Sequence, residues 1–166
     1  MDLGKINRKK VLKMEIKKMY INGEWVEAKS KKTRKVINPA NGEVIVLTTE
    51  GDKEDVELAI SAAKTSFYET GDWRRMNAQA RADILLKIAD KIDEYRDEFA
   101  RLDSIDNGKP LREAEGDIDD GIHCFKYYAG LIKAPYGGVY DVNDGFGTMH
   151  SYTIHEPVGV VAQITP

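Results

Sequence analysis

One cysteine, Cys124, stands among 166 residues, so no disulfide can form within the chain. That usage fits a reducing compartment and a cytoplasmic location. No apolar run approaches the roughly 20 residues that a membrane-spanning helix needs. Basic excess is also missing: the formal net charge is −3, which argues against nucleic acid as the main partner. There is no Gly-rich phosphate loop, because Gly145-Phe146-Gly147 lacks a third glycine and a preceding central strand. There is no pair of carboxylates at acid/base spacing, no nucleophile triad and no metal cluster. With 42% hydrophobic and 32% charged residues the composition is that of a globular domain with a real core.

The charge that is present is unevenly spread. Residues 1–19 carry Lys5, Arg8, Lys9, Lys10, Lys13, Lys17 and Lys18 against Asp2 and Glu15, a net +5 that leaves −8 for the remainder. This arm has neither the apolar core and cleavage site of a secretory signal nor the Ser/Arg richness of an organelle presequence. It reads as a solvated extension, with Met14 and Met19 as alternative starts of the folded part.

After the arm, Tyr20-Ile21-Asn22-Gly23-Glu24-Trp25-Val26 predicts a hairpin, since Asn-Gly suits the positive φ values of a type I′ turn. Val36-Ile37 leads into the turn cluster Asn38-Pro39-Ala40-Asn41-Gly42-Glu43, and Val44 to Leu47 reads as the next strand. The opening is expected to be an antiparallel meander. Asp52, with Asp55 three residues on, predicts a helix start. Val56, Ala59, Ile60, Ala63 and Phe67 fall on one face of that helix, which ends at Gly71-Asp72-Trp73.

A long helix is predicted from about Ala80 to about Asn107, because Ile84, Ile88, Ile92, Tyr95, Phe99 and Leu102 keep a helical period. Asp83/Lys87 and Asp97/Arg101 have the spacing of surface ion pairs. Asn107-Gly108 with Pro110 is the stop. A third helix spans roughly Leu111 to Ile132, with Ala114, Ile118, Ile122, Phe125, Ala129 and Ile132 inward. Gly116 and Gly121 mark close packing or a break in it. Val139 to Val142 and Thr148 to His155, joined through Asn143–Gly147, predict a second hairpin.

The last nine residues, Val158 to Pro166, are apolar and β-branched without alternation until Gln163. Such a run reads as a central strand of a parallel sheet. In open α/β sheets ligands bind just past the carboxyl ends of such strands. The chain stops at that end, so the sequence is expected to be incomplete where a binding site begins.

The residues that look chemical are weak alone. Cys124 lies mid-helix beside His123, which points about 100° away, so it reads as structural. His150 and His155 are five apart on a strand and face opposite ways. Asp141-Val142-Asn143-Asp144-Gly145 has its glycine one position early for a calcium loop and no closing glutamate. Asp117, Asp119 and Asp120 read as the acidic first turn of a helix.

Several stretches together resemble the N-terminal part of the aldehyde dehydrogenase superfamily, of betaine-aldehyde or general type. They are Tyr20–Trp25, Ile37-Asn38-Pro39-Ala40-Asn41-Gly42-Glu43, Asp106-Asn107-Gly108-Lys109-Pro110, Phe125-Lys126-Tyr127-Tyr128-Ala129-Gly130 and Glu156-Pro157-Val158-Gly159-Val160-Val161. They occur in the family's order and spacing over Tyr20 to Pro166. The resemblance implies an α/β fold: an incomplete NAD-binding, Rossmann-type domain. Its parts would be an N-terminal β meander, three main helices, an oligomerisation hairpin and the first parallel strand. The divisions it implies are a basic extension (1–19), the front of the NAD-binding domain (20–138), the hairpin (139–156) and the first strand of the dinucleotide sheet (157–166).

The implied activity is oxidation of an aldehyde to a carboxylate with NAD or NADP. Family nucleophile, general base and most of the cofactor site would lie beyond Pro166, and Cys124 matches no family nucleophile, so the chain is expected to be inactive alone. Two pieces carry over. Ile164, Thr165 and Pro166 match the start of the cofactor-contacting segment. Val36, Ile37 and Asp106 match a monovalent-cation site, for potassium or sodium, built from main-chain carbonyls and a carboxylate. The hairpin implies a homo-oligomer. The alternative is a non-catalytic module that docks on full-length or complementing dehydrogenase chains. The aldehyde would be the small-molecule partner, with no nucleic acid and no membrane.

Overall fold

A computed structural model describes residues 15–134, 137–143 and 145–165. The chain divides into two compact units. One runs to Ala59 and takes in Ile105–Gly108; the other is Ile60–Ser104 and continues from Lys109.

The first unit is mainly strands. β2 (Met19–Ile21) and β3 (Glu24–Val26) form the expected hairpin, with Tyr20 opposite Trp25. Asn22 and Gly23 turn it at φ 54° and 84°, the left-handed values that Asn-Gly tolerates. β4 (Thr33–Ile37) pairs antiparallel with β5 (Val44–Thr49). Their turn closes on itself: the Asn38 amide donates to the Glu43 carbonyl at 2.9 Å, and the Asn38 carboxamide oxygen accepts from the Ala40 amide at 2.9 Å. The meander is not wholly antiparallel, however. β1 (Ile16–Lys17) joins β5 in parallel, giving the order β1-β5-β4. A two-residue strand is too short to show any period of its own.

Asp52 and Asp55 cap α1 (Lys53–Lys64) reciprocally. The Asp52 carboxylate accepts from the Glu54 amide at 3.1 Å, and Asp55 reaches back to the Asp52 amide at 3.0 Å. Asp55 is buried and also accepts from the Lys29 amide at 3.2 Å, which ties the cap to the loop after β3.

The second unit is helical. α1 runs on into a π-turn, Thr65–Thr70, which ends at Gly71 (φ 61°) with the Gly71 amide on the Ser66 carbonyl. The short α2 (Asp72–Arg75) leads to α3 (Ala78–Glu94), capped by the Asn77 side chain on the Ala80 amide at 2.8 Å. The long helix expected over 80–107 is two helices, α3 and α4 (Arg96–Asn107). Tyr95 breaks it at φ −108°, ψ 18°, where its amide turns to the Ile92 carbonyl. α5 (Leu111–Leu131) runs unbroken through Gly116 and Gly121. β6 (Val139–Asn143) and β7 (Thr148–Tyr152) form the second hairpin, in register Val139 opposite Tyr152.

α3 packs on α5. The buried apolar residues of this unit are Ala82, Ala89, Ala100, Ala114, Ile122 and Ala129. On α5 the expected inward face holds. On α3 and α4 the most buried positions are alanines instead, and Ile88, Tyr95, Phe99 and Leu102 are exposed. Alanine lets two helix backbones approach, so the closest line of contact selects small residues and the larger ones flank it. The two expected i,i+4 ion pairs do not form among the described residues. Asp83 accepts from Gln79 at 2.7 Å and Asp97 faces Arg96 at 3.6 Å.

Val158–Ile164 forms no strand among the described residues, which corrects the reading of that run as a parallel strand. Val158, Val161 and Ile164 are exposed. An apolar β-branched run becomes a strand only when a neighbour completes its hydrogen-bond ladder, and no described strand pairs with it. Among the described residues no helix is long and apolar enough to cross a membrane.

Candidate functional site

Val36, Ile37 and Asp106 all belong to the first unit. The β4/β5 register shifts between Val36 and Ile37: Val36 faces Val46 but Ile37 faces Val44, so Ile45 is an extra residue on β5. A bulge interrupts the ladder and re-aims backbone groups locally. Asp106 lies in the last turn of α4, where the helix dipole presents partial negative charge. The two stretches meet two residues further along each, at Pro39 and Gly108. Gly108 has φ 84°, and a Cβ there would stand 2.7 Å from Pro39 Cγ. Main-chain carbonyls and a carboxylate are oxygen donors of the kind that hard cations take. No cluster of three or more His, Cys, Asp or Glu side chains is gathered for a metal among the described residues.

Ile164 and Thr165 belong to the second unit and are exposed, Ile164 at 98%. Pro166 lies outside the described residues. The segment leading to them passes the π-turn at Gly159 (φ 94°), where a Cβ would meet the Tyr68 hydroxyl at 3.2 Å and Phe67 Cε1 at 3.8 Å. Beside this point lies an open cleft of about 560 Å³ lined in part by Phe67, Trp73, Arg74, Arg81 and Val158. The Arg74 guanidinium sits 5.5 Å over the Phe67 ring.

The other sequence candidates fall elsewhere. Cys124 is exposed on α5. His150 Nδ1 lies 2.8 Å from Asp141 Oδ1 across the β6/β7 pair, both on the exposed hairpin. Asp144, the fourth residue of the loop excluded for calcium, lies outside the described residues. Asp117, Asp119 and Asp120 do not start a helix, since α5 begins at Leu111.

Two of those acids belong instead to charged clamps that helical spacing does not reveal. Arg96, the first residue of α4, grips Asp119 with two parallel hydrogen bonds, Nε to Oδ1 at 2.6 Å and Nη2 to Oδ2 at 2.7 Å. Its guanidinium holds the Asp119 carboxyl below the usual carboxylate range and is itself pushed upward. Lys109 Nζ meets Asp103 at 2.8 Å and Asp117 at 2.6 Å, and the two carboxylates, Asp103 foremost, raise its ammonium pKa. The Ser104 hydroxyl donates to the Lys109 carbonyl at 2.8 Å. Lys109 thus closes the Asn107–Pro110 turn. The only sequence sign was a lone cation in a Gly-Lys-Pro turn flanked by acids. Asp55 is likewise held low, first by the Asp52 amide and then, against desolvation, by the Lys29 amide.

A family model for the aldehyde dehydrogenase family matches residues 25–166. The chain belongs to the aldehyde dehydrogenase family. It is 43% identical over 149 residues to the mitochondrial aldehyde dehydrogenase of Homo sapiens, covering 89% of this chain and 28% of that protein. It is 40% identical over 148 residues to the betaine aldehyde dehydrogenase of Bacillus subtilis (strain 168), covering 89% and 30%. In structure it matches the betaine aldehyde dehydrogenase of Staphylococcus aureus in complex with NAD+, with TM-score 0.72 and 45% identity over 78% of this chain and 25% of that one. The chain therefore spans less than a third of the length of these relatives. The fold is a mixed α/β part of an aldehyde-dehydrogenase-like domain.

Proposed function

We propose that this chain is the leading part of the dinucleotide-binding domain of an NAD(P)-dependent aldehyde dehydrogenase, an oxidoreductase that works in the cytoplasm. The observation that carries the reading is its 45% identity, at TM-score 0.72, to an enzyme solved with NAD+. In this reading residues 20–138 are the front of the domain, 139–156 its oligomerisation hairpin, and 157–166 the segment that becomes a strand of the dinucleotide sheet only when a neighbouring strand pairs with it. The extension assigned to residues 1–19 reaches into the fold, because Ile16–Lys17 and Met19 belong to β1 and β2. Main chain at Ile164, Thr165 and Pro166 lines the dinucleotide groove. The carbonyls of Val36 and Ile37 and the Asp106 carboxylate hold potassium or sodium. The bulge at Val36/Ile37 and the contact of Gly108 with Pro39 support that grouping.

Aldehyde oxidation requires a thiolate, a general base and a hydride acceptor held in line. Cys124 is exposed on α5 and makes no side-chain hydrogen bond or ion pair among the described residues, so it has no base to activate it. In this reading the chain alone is inactive. A chimera with this chain in place of the matching stretch of the Staphylococcus aureus enzyme tests the assignment. It should form NADH from betaine aldehyde, while the chain alone should form none. A folded chimera that binds no NAD+ overturns the assignment, and NADH formed by the chain alone overturns its inactivity.

A second reading, a non-catalytic module docking on other dehydrogenase chains, is favoured by one observation. Every residue of β6 and β7 is exposed, including Val139, Tyr140, Val142, Met149 and Tyr152. Exposed strand edges with apolar side chains invite pairing with another chain. Co-purification with a full-length relative, lost in Val142→Lys, is the expected result; unchanged co-purification refutes the hairpin's part in it.

A further inference from the structure

We propose that the π-turn Thr65–Thr70 is the seat that fixes where the Val158–Thr165 segment leaves the helical unit, with Tyr68 as the positioning residue and Gly159 as the point of contact. Three observations converge on it. The helix widens to a π-turn here and nowhere else among the described residues, closing on Gly71 in the left-handed region. Such single wide turns inside helices recur at functional places, because the extra residue redirects side chains that a regular helix would splay. The redirected pair is Phe67 and Tyr68, ring centroids 4.9 Å apart and edge-on at 84°, with Arg74 stacked on the Phe67 ring. Gly159 then meets that pair at the one place where the incoming chain has no side chain. Its φ of 94° disfavours an L side chain, and a Cβ would stand 3.2 Å from the Tyr68 hydroxyl.

The surroundings make this contact decisive. The cleft of about 560 Å³ on the same side leaves the neighbouring residues loosely covered. Val158 and Val161 are largely exposed, and no described strand pairs with the run. Position is therefore set at Gly159, and residues 160–165 follow from it. This deepens the proposed function and rests on it in one respect: the segment being placed is the one assigned to the dinucleotide groove.

The test is nuclear magnetic resonance on the full, isotope-labelled chain. Nuclear Overhauser contacts between the Gly159 α-protons and the Tyr68 ring are expected. Tyr68→Ala should shift the amide resonances of residues 157–165 and leave those of α3 and α5 in place. Gly159→Ala should shift the same set, and adding Tyr68→Phe should reverse part of that shift by removing the opposing hydroxyl. Absence of the contacts, or unchanged 157–165 resonances in Tyr68→Ala, overturns the proposal. In the Staphylococcus aureus chimera, NAD+ affinity is read separately. If the seat variants move the segment but leave NAD+ affinity unchanged, the seat stands and the cofactor assignment falls.

Discussion

Gly108→Ala is the sharpest test of how the turn after α4 is built. Gly108 sits at φ 84°, where an L side chain costs about 1–2 kcal/mol in backbone strain. The added Cβ would also stand 2.7 Å from Pro39 Cγ, a ring carbon that cannot swing away as a flexible side chain would. Forcing a methyl group into such a place costs a further ~1–3 kcal/mol. The expected loss is about 2–4 kcal/mol, after a few tenths are returned by the lower entropy of the unfolded chain. Gly42→Ala is the internal control. Gly42 lies in the same unit at φ 75°, and a Cβ there meets nothing within 4 Å. It should show the backbone cost alone, about 1 kcal/mol. Urea unfolding followed by circular dichroism measures both. Combining Gly108→Ala with Pro39→Ala should recover the steric part, a coupling of about 1–3 kcal/mol between neighbours. If Gly42→Ala and Gly108→Ala cost the same, or the double variant is additive, Gly108 does not rest on Pro39. The proposed grouping of Val36, Ile37 and Asp106 then loses its support.

Ala89 is fully buried in the helical unit, so Ala89→Leu should cost about 1–3 kcal/mol by overpacking, read from the denaturant midpoint. A midpoint unchanged within error would mean α3 and α5 are not in close contact there. Acid and alkaline unfolding should differ in origin. Asp119 and Asp55 titrate below their ordinary 3.8, so the stability they contribute is complete above that pH and lost as pH falls through their folded values. Asp119→Asn should flatten the acid limb of a stability–pH profile. Lys109 titrates above its ordinary 10.5, so its contribution is complete below that pH and lost as pH rises through the folded value. Lys109→Met should flatten the alkaline limb and leave the acid limb in place.

Local chemistry was legible and long-range completion was not. Asn22-Gly23, the Asn38–Glu43 turn and the Asp52/Asp55 cap are written in adjacent residues, and each forms as its residues demand. The inward face of α5 is legible because Ala114, Ile122 and Ala129 recur on one helical stripe. The break at Tyr95 was hidden because the apolar period passes straight through it. What accompanies it is a clamp between residues 23 apart, Arg96 and Asp119. The fate of Val158–Ile164 was hidden for the opposite reason: its residues favour a strand, but a strand is a property of a pair. At the candidate site, motif spacing brought Val36, Ile37 and Asp106 forward, yet two of the three would act through carbonyls. Every residue has a carbonyl, so no side-chain reading can single these out.

The distribution of large apolar residues bears on both readings of function. The helical unit buries alanines and one isoleucine, and no large side chain anywhere among the described residues is fully buried. Leu86, Phe99, Leu102, Tyr127 and Tyr128 are all at least 38% exposed. A monomeric surface seldom keeps contiguous apolar patches of more than a few hundred Å², and larger ones mark interfaces. A helix pair joined through alanines holds its backbones close, which leaves the bulky flanking residues available to a second layer. The enzyme reading supplies that layer from the remainder of a dehydrogenase, and the docking reading supplies it from another chain. Both readings therefore leave a use for the exposed apolar residues of these helices. Polar substitutions at Leu102 and Tyr128 should weaken either assembly while leaving the alanine contact between α3 and α5 intact.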